Sequence, residues 1–269
     1  MNRTWPAHVV LLLGAVVMFA PFAWQIIVSL QTLAESLRVP PTFTPSWQWS
    51  NFPEVFRTVP LGRQFLNTVV VTVAVTAGQL LLCSLAAFAF ARLSFPGRGA
   101  IFLLFLAVLM VPGELFLLPR YEIMQGLGWL NTLQALIAPG IFGAFGTFLL
   151  RQFFLTLPKE LDEAARLDGA NPLQIYWWIM LPLVRPGLLA LGLLTVMWSW
   201  SSLLWPLVVN TDPEMMTLSA GLASLRGQFQ TNYPILFAGA VVASLPVIIL
   251  FVVMQRQLIA GIAFTGSKG

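Results

Sequence analysis

The sequence predicts an all-α fold: an integral membrane bundle of six transmembrane helices with a cytoplasmic helical elbow. Three observations carry that expectation. Of 269 residues, 58% are hydrophobic and 9% charged, against about 45–50% and about 25% in soluble domains. The mean hydropathy is +0.84. The apolar residues gather into six continuous runs, Val9–Val28, Val69–Phe90, Ala100–Leu118, Leu133–Phe154, Leu188–Val209 and Pro234–Val253, each long enough to cross a hydrocarbon core of about 30 Å. A spanning β-barrel would instead alternate apolar and polar residues over segments of about ten.

The first run follows Arg3 and exceeds the usual secretory h-region of about 7–15 residues, so it reads as a retained signal-anchor helix. The outer loop, 29–67, is rich in proline and aromatic residues, among them Pro40, Pro41, Trp47, Trp49 and Phe56. Such a composition favours turns over a long helix. The third run holds Glu114 beside Pro112-Gly113 near its outer end, where its carboxylate is either a functional group at membrane depth or, the favoured reading, reaches the outer interface. With the N-terminus inside, nine of the 14 Lys and Arg fall on cytoplasmic segments, a moderate bias that favours both termini in the cytoplasm over the opposite orientation. The sixth run leads to a cytoplasmic tail, 254–269.

The net charge of +4 comes from basic residues set singly between apolar runs, which argues for topology and against nucleic acid. One cysteine, Cys83, and one histidine, His8, exclude an intrachain disulfide and a Cys/His metal centre. Paired carboxylates, a Ser/His/Asp set and an HExxH motif are all missing, so neither catalytic nor metal-ligating residues are assigned. The terminal Gly266-Ser267-Lys268-Gly269 lacks the GxxxxGK[ST] spacing of a phosphate loop, so ATP hydrolysis is not expected of this chain. Gln79, Thr147, Ser199, Ser201 and Ser202 are the polar residues of the runs that either line a path or bond across helices.

The cytoplasmic loop 151–186 concentrates four acidic and four basic residues in a chain where charge is scarce. It punctuates itself as helix, turn, helix. Pro158 suits a helix start, and Glu160, Asp162 and Glu163 favour the positive end of the helix dipole. Gly169 suits the left-handed position after the helix, and Asn171-Pro172 caps a second helix running towards Leu181-Pro182. So short a helix needs packing to persist. Periodicity leaves two readings open, a helix lying on the membrane surface or a knob seated in a soluble partner.

Glu163-Ala164-Ala165, three residues, Gly169, nine residues, Ile179, one residue and Leu181-Pro182 resemble the EAA-type signature of permease subunits in bacterial binding-protein-dependent ABC importers. Val111-Pro112-Gly113-Glu114, Leu127-Gly128, Asn131-Thr132 and the ending Gln255-Arg256-Gln257-Leu258 are similar to the carbohydrate-type branch, and to the smaller six-helix permease of maltose-type systems. The resemblance implies that Glu163, Ala164, Ala165, Asp168, Gly169, Ile179, Leu181 and Pro182 form a coupling segment against a cytoplasmic ATPase, with Gly266–Gly269 reaching towards the same partner. It implies a sugar importer in the bacterial inner membrane. The partners it implies are a second permease subunit as heterodimer, two ATPase subunits and an extracytoplasmic sugar-binding protein. No cofactor is then bound by this chain, and ATP and Mg belong to the ATPase. Where such permeases often carry a Trp-Asn-acidic cluster, this chain reads Trp200-Ser201-Ser202. The alternative class is a secondary transporter or channel half driven by an ion gradient, which would need carboxylates within the membrane.

Overall fold

The computed structural model describes residues 5–226 and 231–266, and among these every regular element is helical. Three helical stretches are long and apolar enough to cross a membrane, Ala7–Ser29, Leu61–Arg92 and Leu133–Thr156, and two bent pairs, Arg98–Met110 with Gly113–Gly126 and Pro172–Leu183 with Arg185–Ser201, reach that length only when each pair is taken together. The final helix, Tyr233–Gly266, is apolar over Tyr233–Ile249.

The helix Trp5–Ser29 packs chiefly on the final helix and leaves most of its apolar surface open, as expected where lipid is the solvent. Two short helices, Leu33–Ser36 and Asn51–Thr58, organise the outer segment. The first is closed by a capping box between Thr32 and Glu35. Asn51 Nδ2 donates to the carbonyls of Ser29 and Gln31, both at 2.9 Å, and pins the segment on the end of the first crossing.

The second crossing starts at Leu61, eight residues before the apolar run. Its polar first turns are buried because they have partners. Asn67 Nδ2 donates to the carbonyls of Glu214 and Met216 at 2.8 and 3.0 Å, and the Leu218 amide donates to Thr68 Oγ1 at 2.8 Å. At about 1.5 Å per residue, this 32-residue crossing projects well beyond the hydrocarbon core.

The expected continuous spans at Ala100–Leu118 and Leu188–Val209 are both broken. The third bends by 97° between Arg98–Met110 and Gly113–Gly126. Pro112 cannot donate to the helix ladder and drives Val111 to extended dihedrals, φ −92° and ψ 124°. The helix Arg185–Ser201 stops at Ser202 and resumes as Leu204–Val209, because a continuous helix would press the Pro206 ring on the Ser202 carbonyl. The expected tail is also shorter, since the final helix continues to Gly266; Ser267, Lys268 and Gly269 lie outside the described residues.

Candidate functional site

The loop expected from residue 151 begins only after Thr156, where the helix Ala144–Thr156 ends. Arg151 therefore stays in that helix, with its guanidinium 4.1 Å from the Phe102 ring centroid and its Nε donating to the Phe90 carbonyl at 3.2 Å. The elbow itself is the helix Glu160–Leu167, a turn at Gly169 and a second helical stretch from Pro172. Gly169 adopts φ +82°, the left-handed position that ends a helix. Asn171 caps the second stretch by accepting from the Gln174 amide at 2.9 Å, and the Gln174 side chain accepts from the Asn171 amide at 2.8 Å. That stretch passes through a π-helical turn at Ile175–Met180 and then bends by 78° into Arg185–Ser201.

Two polar contacts fasten the elbow to the bundle. Arg92 Nη1 donates to Asp162 Oδ2 at 2.9 Å, with side-chain exposures of 5% and 11%. Its remaining donors reach the Phe154 and Leu157 carbonyls, which close the preceding crossing. Tyr176 Oη lies 2.6 Å from Ser84 Oγ, and that hydroxyl also bonds the Leu80 and Leu81 carbonyls. Around these contacts Ala165, Ile175, Tyr176 and Met180 pack against Phe88, Leu150 and Phe154 in one buried cluster. The apolar contacts exclude water, which strengthens the ion pair.

This packing divides the coupling residues by face. Glu163, Ala164, Asp168, Gly169 and Pro182 are exposed, while Ile179 and Leu181 are half-buried against the cluster. Ala165, which the signature places beside a partner, instead faces the chain's own core at 7% exposure. Three residues C-terminal to a buried Asp162, it shares the inner stripe of the helix. The outer face carries Leu167, 89% exposed, with Leu173 and Trp178 open beyond the turn.

The second part of the site is a cavity of about 430 Å³ lined by the second crossing, the bent third, the fourth, Leu133–Thr156, and the fifth, Arg185–Ser201 with Leu204–Val209. Of the expected path residues, Gln79, Ser199 and Ser202 line it. Thr147 is buried and donates to the Gly143 carbonyl at 3.0 Å; Ser201 donates to Met197 at 2.6 Å on an exposed face. Neither is in the lining. Gln79 opens the π-helical turn Gln79–Cys83 and donates from Nε2 to the Gly140 carbonyl at 2.8 Å. A Cβ on Gly146 would stand 2.8 Å from Gln79 Oε1, so glycine is what lets the fourth crossing approach so closely. Phe145, Trp198, Trp205 and Arg120 complete the functional part of the wall, and no Asp or Glu is among its lining residues.

Elbow and cavity share their supports. The second crossing runs from Gln79 in the cavity wall to Arg92 at the elbow, and Arg185–Ser201 runs from the elbow's bend back to Ser199. Sequence reasoning missed Arg92, Ser84, Tyr176 and Arg120 as members of the site. A lone basic residue at the end of an apolar run reads as topology, and only the partner seventy residues away reveals the pairing.

Residues 1–263 match the family described as binding-protein-dependent transport system inner membrane component. The chain is 42% identical over 205 residues, 76% of its length and 74% of the relative's, to the arabinooligosaccharides transport system permease protein AraQ of Halalkalibacterium halodurans. It is 33% identical to the diacetylchitobiose uptake system permease protein NgcG of Streptomyces coelicolor, covering 97% of this chain and 87% of that one. Its identity to the sn-glycerol-3-phosphate transport system permease protein UgpE of Pectobacterium atrosepticum is 32%, over 95% and 94%. In fold it is similar to a chain of a bacterial ABC transporter involved in the import of the acidic polysaccharide alginate, with a TM-score of 0.81 and 23% identity over 95% of this chain and 98% of that one.

Proposed function

The chain belongs to the family of binding-protein-dependent transport system inner membrane components, and we propose that it carries a sugar or related polyol inward as one of two permease subunits. Relatives named for arabinooligosaccharides, diacetylchitobiose and sn-glycerol-3-phosphate support that solute class. In this reading the second permease is a different chain and two ATPase subunits bind on the cytoplasmic side. An extracytoplasmic binding protein delivers the solute; a relative in fold is known in complex with its alginate pentasaccharide-bound periplasmic protein. Both termini are cytoplasmic. ATP and Mg act in the ATPase, and this chain is a non-catalytic subunit.

The observation that carries the proposal is the elbow, fixed to the bundle on one face and open on the other. Glu163, Ala164, Leu167 and Asp168 form the outward surface for the ATPase, while Arg92–Asp162 and Tyr176–Ser84 join its inward surface to the crossings. When the ATPases close, the elbow moves as a unit with the inner ends of the second crossing and of Arg185–Ser201. Those helices carry Gln79 and Ser199 at the cavity, so the motion alternates its access. Differential affinity of the two states for nucleotide supplies the drive. Gly266–Gly269 contributes to the same ATPase contact.

Affinity purification of the tagged chain from its native membrane in mild detergent, followed by subunit identification and an ATPase assay, tests this reading. Recovery of an ATPase and a second permease, with hydrolysis stimulated by solute-loaded binding protein, is expected. A chain recovered alone or only with itself would overturn it.

A further inference from the structure

The cavity wall is chemically one-sided. Arg120 sits on the helix Leu117–Gly126, beyond the 97° bend, and its guanidinium carbon lies 5.2 Å from the Trp205 ring centroid. Among the described residues that stacking is its only partner, with neither a hydrogen bond nor an ion pair. Trp205 is itself fixed, its indole N–H donating to the Ala135 carbonyl at 3.0 Å. Among the described residues the Ser199 and Ser202 side chains in the wall make no hydrogen bond to protein.

A guanidinium presents five N–H donors in a planar fork suited to two oxygens of a carboxylate or phosphate. Stacking on Trp205 leaves the edge of that fork unused. The Ser199 and Ser202 hydroxyls are free to bond a polyhydroxylated solute held in this largely apolar wall. The Trp198 and Trp205 rings offer apolar faces for the C–H side of a sugar or polyol. A neutral sugar would leave the cation unpaired, whereas a carboxylate or phosphate group satisfies it.

We propose that this cavity takes an anionic, hydroxyl-rich solute, a sugar acid or a polyol phosphate, and that Arg120 is the specificity-determining residue that pairs with its charge. This rests on the transport reading above and narrows its solute class.

The test uses the complete transporter, with its partner subunits, in nanodiscs. Tryptophan fluorescence is titrated with digalacturonate, sn-glycerol 3-phosphate, galactobiose and glycerol. Each anion is expected to bind at least ten-fold more tightly than its neutral counterpart, with the preference weakening as salt rises. Arg120→Gln is expected to lower that preference at least ten-fold, and Arg120→Lys to keep part of it. Size-exclusion profiles confirm that each variant is assembled. A digalacturonate-only or glycerol-phosphate-only preference assigns the carboxylate or the phosphate source respectively. Equal binding of neutral and anionic members, or an anion preference unchanged in an assembled Arg120→Gln complex, would overturn the inference. A complex that lacks an ATPase would overturn the transport reading instead, so the two failures are separable.

Discussion

Arg92 and Asp162, seventy positions apart, are joined by a charge-assisted hydrogen bond of 2.9 Å in a site nearly closed to solvent. Asp162 stands on the inner face of the elbow helix, and Arg92 ends the second crossing. The bond links the segment facing the cytoplasm to a helix that reaches the cavity. Among the described residues Asp162 Oδ1 has no hydrogen-bond partner, so Arg92 is the one side chain that pairs with this carboxylate there.

Asp162→Ala is expected to cost about 3–5 kcal/mol, because it leaves a buried guanidinium without its counter-charge, held only by backbone carbonyls. Arg92→Met with Asp162→Leu should recover most of that loss. Thermal unfolding of the purified chain in detergent measures both. A single-variant loss below about 1 kcal/mol would show that the elbow is held by packing alone.

Gly169 holds φ +82° with no heavy atom of the described residues within 4 Å of its missing Cβ, so a larger residue there meets backbone strain but no clash among them. Gly169→Val should cost about 1–2 kcal/mol locally, with Gly169→Asn the mildest change. Membrane insertion is expected to remain, and ATP-driven uptake in proteoliposomes to fall in the order Gly, Asn, Val. Normal uptake by the valine variant would separate the bend from coupling.

Leu167 is 89% exposed on the outer face of the elbow, an unusual place for a large apolar side chain facing water. If it anchors the ATPase contact, Leu167→Asp should weaken retention of that subunit by about 2 kcal/mol, some 30-fold. Co-purification at graded ATPase concentrations reads this directly. Undiminished retention would move the anchor elsewhere on the elbow.

The Tyr176 hydroxyl, buried against Ser84 at 2.6 Å, donates to an oxygen whose own proton already serves a backbone carbonyl. Tyr176→Phe is expected to lower stability by about 1 kcal/mol while keeping the ring contacts with Phe88. Its melting temperature beside that of Ser84→Ala, and of both changes together, measures the coupling.

Glu35 in the outer segment has its pKa lowered, first by the Thr32 amide and then by the Ser46 hydroxyl. A carboxylate with a depressed folded pKa contributes stability that is complete above the unfolded value and lost as pH falls through the folded one. The capping box of Leu33–Ser36 is therefore expected to loosen below the ordinary glutamate range. Carboxyl-carbon NMR of Glu35 tests this, and an unshifted midpoint would contradict it.

The surrounding solvent, the helical class and the position of the elbow were all legible in the amino-acid order. Hydropathy needs only neighbouring residues, and the spacing from Glu163 to Pro182 lies within a single stretch. Gly169 as the bend and Asn171 as the cap were legible for the same reason, since their preferences are local. Tertiary structure decided which elbow face looks outward, turning Ala165 in and leaving Ala164 free. It decided where the third and fifth crossings break, although Pro112 and Pro206 marked the places. It also brought Gln79, Ser199, Ser202 and Arg120 to one cavity while leaving Thr147 and Ser201 out of its lining. A side chain's local pattern fixes the helix it belongs to, but its neighbours across the bundle arrive from sequence positions that no local pattern relates.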